Sequence, residues 1–234
     1  MLLLHEVHTV AGRHEDEFED AFRKGWMSSL ATDDDARLLY YLKLAHGTGR
    51  AYHHTTITAL RDGAAYERLA RRIQSGDLRS WAADVDGMRH EVRGKLLLPV
   101  DWSPMNDVDL TTVPTDGREH DCVLYMEDSA WPHEAMLDTY LEKARTHYAP
   151  SLEARSERSL LTLLAVFQAA LGAPRRREVI LWQRVDFPER LPGLFKRELP
   201  GHVKGPGTWM HDALEVRDDW ESRLLRSAAW SPFG

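Results

Sequence analysis

The chain has 234 residues, 43% of them hydrophobic and 29% charged, with eight tryptophans and a formal net charge of −7. That supplies one large or two ordinary hydrophobic cores and excludes a disordered chain. The acidic balance, with no basic stripe beyond Arg175-Arg176-Arg177, argues against nucleic acid as the main partner. The single cysteine, Cys122, forbids an intrachain disulfide. No run approaches the roughly 20 apolar residues of a membrane helix, and residues 1–7 lack the basic start of a signal peptide, so a cytoplasmic location without membrane contact is expected.

In chain order, residues 2–10 read as a strand. Residues 14–30 read as one helix, because Phe18, Phe22 and Trp26 recur every four positions. Residues 37–45 and 51–60 read as a hairpin around Gly47-Thr48-Gly49. Helices follow at 63–73 and 78–88, and a strand at 91–100. Past a stretch rich in Asp, Thr and Pro, the order recurs: a strand at 121–127, a helix at 134–148 with Met136, Tyr140 and Ala144 on one face, and a hairpin of 160–168 with 178–185. Helical pieces over 187–217 are broken by Pro192, Pro200 and Pro206, and a last strand covers 223–229.

Residues 81–104 return at 209–232 with a constant offset of 128. Trp81 returns as Trp209, Asp84 as Asp212, Leu96-Leu97 as Leu224-Leu225, and Trp102-Ser103-Pro104 as Trp230-Ser231-Pro232. This is too long a period for a solenoid, whose repeats run to roughly 20–50 residues. It predicts an α+β chain of two tandem ferredoxin-like βαββαβ units, 1–104 and 120–234, joined by a linker at 105–119. Each unit leaves one sheet face bare, so the sheets are expected to pack face to face into a barrel with a ligand cavity between them. The exposed edges of such sheets favour a homodimer. Trp81 and Trp209 are expected in the core, with Asp84 and Asp212 bonded to a strand end or to the indole N–H.

The opening segment, HEVHTVAGRHEDEF (residues 5–18), resembles the NIPSNAP branch of the dimeric α/β-barrel superfamily through Asp16-Glu17-Phe18 at the helix entry. Ala11-Gly12 stands where that pattern has Pro-Gly. The resemblance implies a barrel fold shared by cofactor-free monooxygenases, haem enzymes, isomerases and cyclases, and does not select among these reactions.

Strand alternation sorts the polar candidates. Glu6 and His8 share one face of the first strand, His54 the more polar face of the third, and Tyr41 and Lys43 one face of the second. Placing these faces toward the cavity predicts an acid–base site: His8 or His54 moves a proton, and Glu6, Tyr41 or Lys43 steers charge. The substrate is expected to be a hydrophobic or aromatic small molecule, with no tightly bound organic cofactor. Two alternatives stay open: a haem or divalent-metal enzyme using His8, His54 and Glu6, and a non-catalytic ligand-binding protein. The second half offers fewer polar groups, with Tyr125, Glu127, Trp182, Gln183 and Arg184 as its candidates.

Overall fold

The computed structural model describes residues 1–153, 159–175, 177–196, 198 and 201–234. Arg176 of the basic triplet and Pro200 among the expected helix breaks lie outside the described residues. The first half runs β1 (Leu2–Val10), a 3-10 turn, α1 (Glu15–Asp20), a π-helical segment (Ala21–Trp26), α2 (Met27–Leu30), β2 (Ala36–Leu44), β3 (His53–Leu60), α3 (Gly63–Ser75), α4 (Arg79–Gly87) and β4 (Arg89–Pro99). The second runs β5 (Leu124–Trp131), α5 (Leu137–Lys143), a second π-helical segment (Ala144–Tyr148), α6 (Ala149–Glu153), β6 (Leu161–Leu171) and β7 (Val179–Val185). It continues through α7 (Leu191–Lys196), α8 (Gly201–Lys204), α9 (Trp209–Asp212), a 3-10 turn (Ala213–Glu215) and β8 (Asp219–Ser227).

The π-helical segment has a simple cause. A spacing of four drifts around an α-helix by about 40° per step. The wider π turn absorbs that drift, so Phe18, Phe22 and Trp26 all stay on the sheet, each at most 2% exposed. Tyr140, Ala144 and Tyr148 repeat the device in the second half, whereas Met136, expected on that buried face, is exposed.

All eight strands form one closed antiparallel barrel in the order β1-β3-β2-β8-β5-β7-β6-β4. Within each half the order is fourth, first, third, second. The seams are β2 on β8, from Leu42 opposite Ser227 to Leu44 opposite Leu225, and β4 on β6, from Leu96 opposite Leu171 to Pro99 opposite Phe167. Closure within one chain removes the open sheet edges from which a homodimer was expected.

The lumen is not the expected ligand cavity. It is filled by Leu3, Tyr40, Ile57, Phe167, Trp182 and their neighbours, and Met105, Leu110 and Val113 of the 105–119 segment are buried against them. Separate apolar layers lie under the helices of each half.

The repeated Trp-Ser-Pro now has a physical role. β2 and β6 each carry a register shift, between Leu38 and Tyr40 and between Leu163 and Ala165. Beside these shifts the Tyr41 N–H donates to Ser231 Oγ at 3.1 Å and the Val166 N–H to Ser103 Oγ at 3.0 Å. Both serines are buried, and each hydroxyl replaces a ladder partner that the shifted strand lacks. Ser231→Ala and Ser103→Ala are each expected to cost about 1–3 kcal/mol, seen as a fall in Tm of about 2–12 °C. An unchanged melting curve would mean that these amides have another partner.

The repeated tryptophans, expected in the core, are half-buried at its margin: Trp81 stacks on Trp26 at 4.7 Å between ring centroids, and Trp209 lies against Tyr148 at 5.0 Å. The repeated aspartates do not behave as expected. The Trp81 indole N–H donates to the Ala21 carbonyl, not to Asp84, which is exposed. Asp212 accepts from the Gly207 amide and from His211. No helix among the described residues is long and apolar enough to cross a membrane.

Candidate active site

β1 presents Leu3, His5 and Val7 to the lumen and Leu4, Glu6 and His8 to the helices. The expected facing of Glu6, His8, His54, Tyr41 and Lys43 is therefore corrected: these side chains lie between the sheet and the helix layer. The reason is aromatic packing. Phe18 and Phe22 seat their rings against the His8 imidazole at 5.2 and 5.4 Å, and Phe18 meets His54 edge-on at 5.7 Å. The helix layer thus accepts neutral imidazoles as apolar partners, while the lumen takes the charged residues that have counter-ions across the barrel.

Of the five, Glu6 lines a cavity. A space of about 80 Å³ opens between β1, the first π-helical segment, α3 and α4. Its walls are Leu4, Phe22, Trp26, Ile73, Trp81 and Val85, and its polar groups are Glu6 and Arg89. That is about half the volume of a cavity known to hold benzene, so a ring enters only when the α3–α4 rim yields.

No hydrogen bond to the Glu6 carboxylate forms among the described residues. Of its two cross-strand neighbours, Gly94 on β4 brings no donor and Thr56 on β3 has its hydroxyl bonded to His8. Asp128 stands in β5 as Glu6 does in β1, but its β8 neighbour is Ser222, a hydroxyl in place of Gly94, and Gln183 Nε2 donates to its Oδ2 at 2.9 Å, while its Oδ1 has no partner. Burial raises the Glu6 pKa above its ordinary value. Arg89 and His5 oppose the rise, and Asp86 adds to it.

Arg89 is the cavity residue that motif reading missed. It donates through Nε to Asp86 at 3.0 Å and through a terminal nitrogen to His8 Nδ1 at 2.8 Å. His8 Nε2–H in turn donates to Thr56 Oγ1 at 3.1 Å. Burial, then Arg89, His54 and His5, hold the His8 pKa well below its ordinary value, so His8 is a neutral prop for Arg89. A sequence signal existed: Arg89 returns as Arg217 at the same offset of 128.

The other candidates form a separate network. The Tyr41 hydroxyl donates to His54 Nδ1 at 2.7 Å. Burial raises the Tyr41 pKa well above its ordinary value, helped by Glu19 and Glu15. Burial and then Lys43 pull His54 down to about 4, against the opposing pull of Glu15 and Glu19. Lys43 bridges Glu15 at 2.9 Å and Glu19 at 2.7 Å, so it neither pairs with Glu6 nor reaches the cavity. In the second half, Glu127 faces the lumen, where His5 and Arg223 bond to it.

The Glu6, His8 and His54 set does not fit a metal ion as arranged, since both His8 nitrogens are already bonded. Among the described residues, no group of three His, Cys, Asp or Glu side chains is placed to hold one. Nor does the space fit a haem, whose macrocycle far exceeds about 80 Å³.

No protein-family model matches the sequence, and no curated protein matches it. Solved structures do. A "putative monooxygenase" from Lactobacillus acidophilus NCFM matches over 99% of this chain and 96% of its own, at 10% identity and a TM-score of 0.64. An "anthrone oxidase-like protein" matches over 97% and 91%, at 10% identity and a TM-score of 0.59. Solved structures similar to this chain also include NIPSNAP domain proteins. One from Burkholderia xenovorans is covered over 97% of its length by 44% of this chain, at 12% identity and a TM-score of 0.35. At these identities the full-length matches show a shared fold.

Proposed function

We propose that this chain is a small-molecule enzyme that takes a proton from a weakly acidic position of a small hydrophobic, ring-containing substrate, with Glu6 as the base. The carrying observation is a carboxylate without a hydrogen-bond donor on the floor of an aromatic-walled cavity, beside a propped arginine. The proton passes from substrate carbon or hydroxyl to a Glu6 oxygen. The electron pair stays on the substrate as an enolate or phenolate, whose oxygen faces Arg89. Phe22, Trp26 and Trp81 hold the ring and exclude water. No tightly bound organic cofactor enters this step. The later fate of the anion, whether oxygenation, cyclisation or isomerisation, depends on the substrate. The monooxygenase and anthrone oxidase-like names among proteins of this fold support such chemistry.

The same reading takes the chain as two fused ferredoxin-like copies, 1–104 and 120–234, joined by 105–119. The shared strand order and the paired serines support it. One copy keeps the site, while in the other Gln183 bonds the equivalent carboxyl.

The test follows deuterium exchange at the acidic carbon of phenylacetone in D2O by NMR. Wild-type protein is expected to accelerate exchange, and Glu6→Gln to remove about 10²–10⁴-fold of the effect. Gly94→Ser, which gives Glu6 a donor, is expected to slow exchange while Tm holds. Exchange at the buffer rate with wild-type protein would sink the proposal.

A further inference from the structure

His8 and Thr56 are both buried, and a buried polar pair costs free energy that an apolar pair of similar shape does not. The second half shows that the fold does not require this pair. β3 places Thr56 opposite Glu6, and β7 places Leu181 opposite Asp128. His8 follows Glu6 by two residues on one strand face, as Ala130 follows Asp128. Leu181 and Ala130 belong to the apolar layer under the second half's helices. The same two positions are thus apolar in one half and polar in the half whose arginine lines the Glu6 cavity.

The hydrogen bonds show what the polar pair does. A guanidinium only donates. The His8 Nδ1 that Arg89 meets at 2.8 Å is therefore unprotonated, and the ring carries its proton on Nε2, where Thr56 Oγ1 accepts it at 3.1 Å. Phe18 and Phe22 pack on this imidazole at 5.2 and 5.4 Å. Their apolar rings hold it in place but do not distinguish its two edges. Turned over, the imidazole would offer carbon both to Arg89 and to Thr56. The Thr56 hydroxyl is the contact that selects the edge. Asp86, whose side chain is largely exposed, holds Arg89 from the solvent side, so His8 is the inner of its two supports.

We propose that Thr56 is a positioning residue for proton abstraction at Glu6: by fixing which edge of the His8 ring faces Arg89, it holds the guanidinium where the oxyanion of the substrate develops. The inference rests on the reading of Glu6 as the base. Thr56 acts on the substrate only through His8 and Arg89.

The test measures deuterium exchange of phenylacetone over a range of concentrations, so that kcat and KM separate. Thr56→Val, nearly isosteric and suited to a strand, is expected to lower kcat about 10–100-fold with KM unchanged, since a misplacement of about 1 Å at a reacting centre costs on the order of 10²-fold. Thr56→Ser keeps the hydroxyl and is expected to keep the rate. Arg89→Met is expected to lower kcat at least as far, and Thr56→Val added to it to cost nothing further, because both act through one guanidinium. If Thr56→Val does not fold, Thr56→Cys makes the same comparison, a thiol being a weak acceptor. A full rate in Thr56→Val overturns the inference and leaves Glu6 as the base. Losses that multiply in Arg89→Met/Thr56→Val, or an equal loss in Thr56→Ser, also overturn it and make Thr56 structural. Exchange at the buffer rate with wild-type protein is a different failure: it removes the Glu6 reading, and this inference with it.

Discussion

Replacing Arg223 with alanine is expected to lower stability by about 3–5 kcal/mol, a drop in Tm of about 6–20 °C for a chain of this size. Arg223 donates to Glu127 Oε1 at 3.1 Å and to Thr55 Oγ1 at 2.9 Å. Glu127 is 2% exposed and also accepts from His5 Nε2 at 2.8 Å. Burial alone would raise the Glu127 pKa. Arg223, His5 and Lys95 outweigh it and hold the group well below its ordinary value. Without Arg223 a buried carboxylate is left with one imidazole, whose Nδ1 is itself unpartnered. The cluster also ties the halves together across the lumen, since His5 and Thr55 belong to the first half and Glu127 and Arg223 to the second. The double variant Arg223→Met/Glu127→Gln is expected to recover part of the loss, with a coupling of about 0.5–3 kcal/mol in a double-mutant cycle from urea unfolding. A loss below about 0.5 kcal/mol for Arg223→Ala would mean that water solvates Glu127 in the lumen and that the cluster does not bind the halves.

Acidification is expected to destabilise the fold well before its carboxylates protonate. His54 titrates at about 4 in the folded chain, against an ordinary value of 6.5. Between those values the unfolded chain binds the proton and the folded chain does not, so stability rises with pH across the window and is lost as pH falls through it. The span corresponds to about 3 kcal/mol, and His8, also held low, acts in the same direction. Glu127 acts elsewhere: its contribution is present above its ordinary pKa and is lost only as pH falls below about 4.5. Glu6 has the opposite sign, because a raised carboxyl pKa favours the folded chain at low pH. Urea midpoints at pH 7.5, 5.5 and 4.5 measure the sum. They are expected to fall steadily for the wild type and less for His54→Gln, which keeps a hydrogen-bonding side chain without the titration. A midpoint flat from pH 7.5 to 4.5 would show that these imidazoles are not held neutral.

The strand and helix order was legible because each signal is local: alternation in residues 2–10, the four-residue aromatic spacing of the first helix, and the turn at Gly47-Thr48-Gly49. The π-helical segments were not, since the drift they absorb matters only once Phe18, Phe22 and Trp26 must all meet one sheet. Glu6 was found, but for a reason the structure reverses. Both faces of β1 mix apolar and polar residues, so alternation alone could not choose between helix layer and lumen. The choice rested on Glu127, 122 residues away, which His5 meets across the barrel. Arg89 and Gly94 carried readable signals, as Arg217 and Ser222 stand at the repeat offset. Their importance lay in one likeness and one difference between the copies, and only the cross-strand register gave those meaning.

By itself, then, the sequence determined the α+β element order, the recurrence at 128 residues and the absence of a long apolar span, because these depend on periodicity and composition along the chain. Tertiary structure alone decided that the barrel closes within one chain, that its lumen is packed, and that the cavity lies under the first half's helices with Glu6 and Arg89 as its polar groups. Those outcomes depend on which buried charges find counter-ions and which rings find a sheet, and their partners are brought together only when distant segments meet.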